Sequence, residues 1–221
     1  MDDIVVGADG DDDGNKKGHD AGKQAAFGAV FIVFLNEKGR AKKIQKISNA
    51  VGGLAASTIQ SNDGFGQSAN GIGDIDGDGI PDIAVGAPGG DDRMGAVWLL
   101  CLQKDGTVKT QQKLDMGSSL IKGDGFGGRS IAVLTPKVNT EIRLLIGASG
   151  ADTHGAMWNV RITKSTKVVA DKIKISSNGD GGFPFSASAT KSGVQTNTDS
   201  SEFGNSLAAI GDVDGDGKLS F

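Results

Sequence analysis

Tyrosine is absent from the 221 residues, histidine occurs twice, cysteine once, and 4 prolines stand against 36 glycines. With one cysteine there is no disulfide within the chain, and Cys101 sits in the apolar run Val97-Trp98-Leu99-Leu100-Cys101-Leu102, where a buried, inert thiol is expected. The two histidines offer little catalytic material. His19 belongs to a long polar loop and His154 to a glycine-rich turn, neither with a nucleophile or base at motif spacing, so no enzyme is expected and a propeller-type lyase or hydrolase is the weaker reading. No apolar run approaches the about 18 residues of a membrane helix. The opening Met1-Asp2-Asp3-Ile4 lacks a basic segment leading into an apolar one, so no signal peptide is expected in this chain, which reads as cytosolic or as a mature or partial chain. Positive charge is also short: 23 Lys and Arg against 27 Asp and Glu give a net charge of −4, which argues against nucleic acid as a partner.

What is plentiful is glycine, together with short β-rich runs bounded by Gly and Asp, and these predict an all-β protein with many tight turns. Three markers recur. Phe-Gly stands at Phe65-Gly66, Phe126-Gly127 and Phe203-Gly204; Gly-Ala at Gly7-Ala8, Gly86-Ala87 and Gly147-Ala148; and a second Gly-Ala opening an apolar run at Gly28-Ala29, Gly95-Ala96 and Gly155-Ala156. Their spacing, about 60 to 80 residues, suits a four-stranded unit with its loops.

Residues 1–221 read as one repeat region. Residues 1–64 form a partial unit lacking its first strand, with strands from Asp3, over Phe27–Leu35 and over Ala41–Ile47. Its outer strand carries solvent-facing lysines, a device against edge pairing. Residues 65–125 form a complete unit with strands over Ser68–Gly73, Ile83–Ala87, Gly95–Leu102 and Val108–Leu114. Residues 126–202 form a third unit followed by a long loop over 176–202, read as a lid, a partner-binding insertion or a surface segment. Residues 203–221 open a fourth with a strand over Leu207–Ile210. Phe65, Phe126 and Phe203, at one phase, are core positions, as are Trp98 and Trp158 in equivalent third strands.

The chemistry is concentrated in Asp74-Ile75-Asp76-Gly77-Asp78-Gly79-Ile80-Pro81-Asp82. Asp-x-Asp-x-Asp-Gly curls three carboxylates towards one point, and a hard cation with oxygen ligands at about 2.3–2.6 Å, calcium above all, fits such a cage. Two carboxylates about 4 Å apart repel by about 1 kcal/mol in water and about 4 at an effective dielectric of 20, so the loop calls for a cation. The expected ligands are the side chains of Asp74, Asp76, Asp78 and Asp82 and the backbone carbonyl of Ile80. A second copy offers Asp212, Asp214 and Asp216, with Lys218 at the place of Ile80 and Ser220 at that of Asp82. In the third unit the same places hold Thr135, Lys137, Asn139 and Arg143, which predicts strands without a metal. An EF-hand is the weaker reading because the place of its bidentate Glu is Val85, inside a strand. Asp9-Gly10-Asp11-Asp12-Asp13-Gly14 matches the spacing in another phase, beside Lys16 and Lys17, and is a third candidate.

Phe-Gly-x-Ser, the Asp-rich loop, Val-Gly-Ala-Pro and Gly-Ala-Val, all within Phe65 to Leu100, resemble the FG-GAP repeat of integrin α-subunit β-propellers. The resemblance implies propeller blades of four antiparallel strands, structural calcium in loops on one face, and a non-catalytic adhesion or binding module outside the cell or at its surface. Its implied partners are a protein or glycan ligand, or neighbouring copies and blades. Two accounts of the three periods stay open. Further blades lie outside this chain, or the carboxyl-terminal strand pairs with the amino-terminal strands of the same or a neighbouring molecule, with Asp3 at the ligand place left by Ser220. The second account also suits a filament or surface assembly.

Overall fold

The computed structural model of the chain describes residues 2–13, 26–55, 58–134, 140–152, 154–165, 167–176 and 202–210. Among the described residues the strands form three antiparallel sheets. The first contains β1 (Ile4–Ala8), β2 (Ala29–Leu35) and β3 (Ala41–Ser48). The second contains β4 (Ser68–Gly73), β5 (Asp82–Ala87), β6 (Ala96–Leu102) and β7 (Val108–Lys113) in that spatial order. The third repeats this meander with β8 (Ile131–Leu134), β9 (Glu141–Ala148), β10 (Ala156–Thr163) and β11 (Val168–Ser176). Each is a propeller blade in form, and no sheet closes into a barrel.

Burial explains which runs became central strands. Every residue of β5 is buried, as a strand covered on both faces requires, and β6 is buried at all positions but Trp98. β7 keeps its Lys and Gln residues outward on the edge. One core lies between the first and second sheets and contains Val30, Ile32 and Ile47 against Ile83, Val85 and Leu100, with Phe65 fully buried. Another lies between the second and third, where Val97, Leu99 and Phe126 meet Leu144, Ile146 and Trp158. Cys101 is 1% exposed in this second core, and burial pushes its thiol up.

The recurring glycines join one sheet to the next. Gly28, Gly95 and Gly155 form isolated parallel bridges to Phe65, Phe126 and Phe203. Gly127 sits between two sheets: its N–H donates to Gly147 O at 2.9 Å, and its carbonyl accepts the Ser68 hydroxyl of the preceding sheet at 2.7 Å. Ser130 makes the same bond to Gly204 O at 2.7 Å. The carbonyls of Gly66, Gly127 and Gly204 rest against the Cα of Gly7, Gly86 and Gly147, where a Cβ would collide with them. The Phe-Gly and Gly-Ala markers are therefore two halves of one seam, contributed by successive repeats.

Ser130 takes the place of Ser68, because the third unit has one extra residue in Phe126-Gly127-Gly128-Arg129-Ser130. The second sheet has a register shift between Gly71 and Gly73 that the third lacks, so the two come back into phase with Gly73 opposite Asp82 and Leu134 opposite Arg143. Two expectations need correction. First, no strand forms over Leu207–Ile210: these residues carry no ladder, because among the described residues no unpaired strand lies beside them. Second, Lys46 of β3 is not a solvated edge lysine but is held by Asp11 and Asp13 at 2.5 and 2.8 Å.

Candidate metal centre

The acidic loop joins β4 to β5, so it lies at the end of the sheet opposite the Phe65-Gly66 seam. Gly73, Gly77 and Gly79 all have positive φ, which lets the chain wind tightly enough to aim its carboxylates inward. Asp74 organises the turn from within: Oδ1 accepts N–H bonds from Gly77 at 2.7 Å and Asp78 at 3.2 Å, and Oδ2 one from Gly79 at 2.8 Å. Desolvation pushes the Asp74 carboxyl up, but these N–H bonds outweigh it and hold it below the ordinary value.

Asp74, Asp76 and Asp78 each place a carboxylate oxygen within 4.8 Å of the others, the one such group of three among the described residues. Lys109, from the start of β7, puts its ammonium between two of them, 2.9 Å from Asp76 Oδ2 and 2.6 Å from Asp78 Oδ2. Bonding to Lys109, with the Ile80 N–H at 2.9 Å, holds the Asp78 carboxyl low, and Asp78 and Asp76 together push the pKa of the Lys109 ammonium up. The Asp78 carboxyl is thereby kept ionised beside a fixed positive charge. A cation already stands where the electrostatics of the loop call for one.

Asp82 is set apart from this triad. It is fully buried, its Oδ2 accepts the Ile75 N–H at 2.8 Å and its Oδ1 the Leu102 N–H at 2.9 Å. Burial pushes its carboxyl up, with repulsion from Asp76 and Asp74 adding to the effect and the two N–H bonds opposing it. Asp82 thus pins the loop to β6. Each of its oxygens keeps a second lone pair, so pinning and ligation are compatible. Ile80 packs its side chain against the core between the first two sheets.

The donor set is all oxygen, which suits a hard cation such as calcium and not a soft metal. Asp212, Asp214, Asp216, Lys218 and Ser220 lie outside the described residues, as do Thr135, Lys137, Asn139 and His19. Arg143 is described and lies within β9, paired with Leu134 on one side and Arg161 on the other. In the amino-terminal candidate, Lys46 bridges Asp11 and Asp13, and Ser48 Oγ donates to Asp13 Oδ1 at 2.5 Å.

Two sets of residues escaped the sequence reading. Lys109 was visible only as one position of an outer strand, and its reach into the acidic loop depends on β7 starting at the same end of the sheet. The other set lies at the opposite end: Lys46, Lys113 and Lys174 each hold an aspartate of the loop between the second and third strands of a blade, with Lys113 2.7 Å from Asp91 and Lys174 3.0 Å from Asp152. Each lysine sits directly across from an aromatic residue, Phe31, Trp98 or Trp158. The signal available was the recurrence of Lys and aromatic residues at one phase.

Together, stacked four-stranded meanders, a repeated glycine seam and an Asp-rich loop between first and second strands define a repeat protein of β-propeller blades. Residues 65–100 match the family model of the FG-GAP repeat, and the chain is consistent with an FG-GAP repeat protein.

Proposed function

We propose that the chain is a calcium-stabilised, non-catalytic binding or adhesion module that works outside the cell. The observation that carries this reading is the convergence of Asp74, Asp76 and Asp78 within 4.8 Å, with an ammonium group drawn between two of them. Asp74, Asp76, Asp78 and Asp82, with the Ile80 carbonyl, would hold the ion, and Asp212, Asp214, Asp216 and Lys218 would serve alike in the second loop. Bound calcium supplies neutralising charge and extra oxygen coordination. The chain's own contribution is the preformed turn: Asp74 gathers three N–H groups and Asp82 ties the loop to β6, so little ordering remains to be done.

The location outside the cell is supported by the affinity range of extracellular calcium modules, about 10⁻⁴–10⁻³ M, which suits a loop as exposed as this one. Among the described residues no helix is long and apolar enough to cross a membrane. A protein or glycan ligand would be recognised by the loops around the blades, while the metal keeps one end of a blade in shape.

Thermal melts in millimolar calcium and in excess chelator test the reading. Calcium should raise the melting temperature, and Asp76→Asn combined with Asp78→Asn should abolish the rise. An identical melt in both buffers would defeat it.

A further inference from the structure

The end of the second sheet opposite the acidic loop carries a cleft of about 570 Å³, a size suited to a small organic ligand. Its walls come from residues 58–63, from the turn between β5 and β6, and from Trp98 of β6 and Lys113 of β7. The third sheet repeats these segments with other side chains. Asp63 Oδ2 accepts the Gln60 N–H at 2.7 Å as Asp124 Oδ2 accepts that of Ile121 at 2.9 Å. The Gly89 and Gly150 N–H groups donate to the carbonyls of Asp63 and Asp124 at 2.8 and 3.2 Å. By repeat position Ala151 therefore stands for Gly90 and Trp158 for Trp98.

The differences leave the second sheet open where the third is filled. Asp124, Ala151 and Trp158 are buried, whereas Asp63 and Trp98 are only half-buried. In the first and third sheets a lysine lies over the aromatic ring at this phase, Lys46 and Lys174 each 5.9 Å from the ring centres of Phe31 and Trp158. Lys113 is held in an ion pair by both oxygens of Asp91, at 2.8 and 2.7 Å, and among the described residues no cation covers the Trp98 ring.

We propose that this cleft binds a neutral saccharide, with one sugar ring laid on the Trp98 indole and its hydroxyls bonded to Asp63, Gln60 and Ser61. The proposal rests on the reading of the chain as a binding module and names a site and a ligand class for it, without calling on calcium. A pyranose has an apolar C–H face and a rim of hydroxyls, so an aromatic face ringed by carboxylate, amide and hydroxyl groups matches it.

Charge decides against an ionic ligand. Asp91 is neutralised by Lys113 and Asp92 by Lys122 at 2.8 Å, so Asp63 is the one lining carboxylate without a cation partner among the described residues. A single such carboxylate is a strong acceptor for a hydroxyl, repels an acidic sugar, and supplies little field for a polycation. Gly90 provides the room beside it. A Cβ there would lie 3.4 Å from Ala96 Cβ, 3.8 Å from Asp63 Cγ and 3.9 Å from Asp63 Oδ1, all ordinary contacts, so the fold itself does not demand glycine. The third sheet carries that methyl group in Ala151.

The test is a proton–nitrogen NMR titration of the full chain in calcium, with the indole signals of the two tryptophans assigned through Trp98→Phe. Among millimolar cellobiose, maltose, lactose and diacetylchitobiose, at least one should shift the Trp98 indole signal to saturation and leave that of Trp158 in place. Gly90→Ala, which fills the cleft, and Asp63→Asn, which keeps an acceptor for the Gln60 N–H, should each weaken that binding about tenfold or more while leaving the melting temperature unchanged. No shift with any of these sugars overturns the proposal, as does a shift that Gly90→Ala leaves unaltered, or one produced by spermidine or sialyllactose and not by the neutral sugars. A melt that responds to calcium in a chain that binds no sugar defeats the saccharide site and leaves the metal reading standing.

Discussion

An alanine at position 86 should force the second and third sheets apart. A Cβ built on Gly86 would lie 1.8 Å from the carbonyl oxygen of Gly127 and 2.4 Å from Ser68 Oγ. A carbon and an oxygen rest at about 3.3 Å or more, so the Gly127 carbonyl must withdraw by more than an ångström. That movement breaks the Ser68 Oγ bond to Gly127 O and strains the bonds from Gly127 N to Gly147 O and from Gly66 N to Gly86 O. Overpacking costs about 1–3 kcal/mol and the lost hydrogen bond about 1, which places the loss near 2–4 kcal/mol. For a chain of this length each kcal/mol corresponds to about 2–4 °C, so the melting temperature should fall by about 4–16 °C. Gly71→Ala is the matched control, since nothing lies within 4 Å of a Cβ there. Calorimetry on the two variants checks the difference. Equal melting temperatures would refute the idea that the Gly-Ala glycine exists for the seam.

Further outcomes concern the acidic loop. Asp82→Ala should destabilise the protein even in chelator, because it leaves the buried N–H groups of Ile75 and Leu102 without an acceptor, at about 1–3 kcal/mol each; Asp76→Asn in chelator should change the melt little. Lys109→Gln removes the charge that competes with a metal for Asp76 and Asp78, so isothermal titration should show tighter calcium binding. An unchanged or weaker affinity would show that the ammonium and the ion do not share a site.

The strands were legible because they are short β-rich runs between turn-forming loops, and β5 and β6 have the continuous apolar character of covered strands. The triad of Asp74, Asp76 and Asp78 was equally legible, since close spacing in one turn fixes proximity. Contacts made between repeats were not. Nothing local to Gly86 says that it abuts Gly127, and nothing local to Lys109 says that it reaches Asp76. The strand expected over Leu207–Ile210 failed for a related reason: a β-rich run becomes a strand only beside a partner, and composition does not report whether one is available. Asp82 was read as a ligand from its spacing, while the bond that ties it to β6 comes from Leu102, 20 residues further along the chain.

The seam has a consequence for how such a chain can change its length. Because the Phe-Gly half of each junction comes from one repeat and the Gly-Ala half from its neighbour, a whole period removed or inserted at any phase restores a matched junction. The cut need not fall between blades.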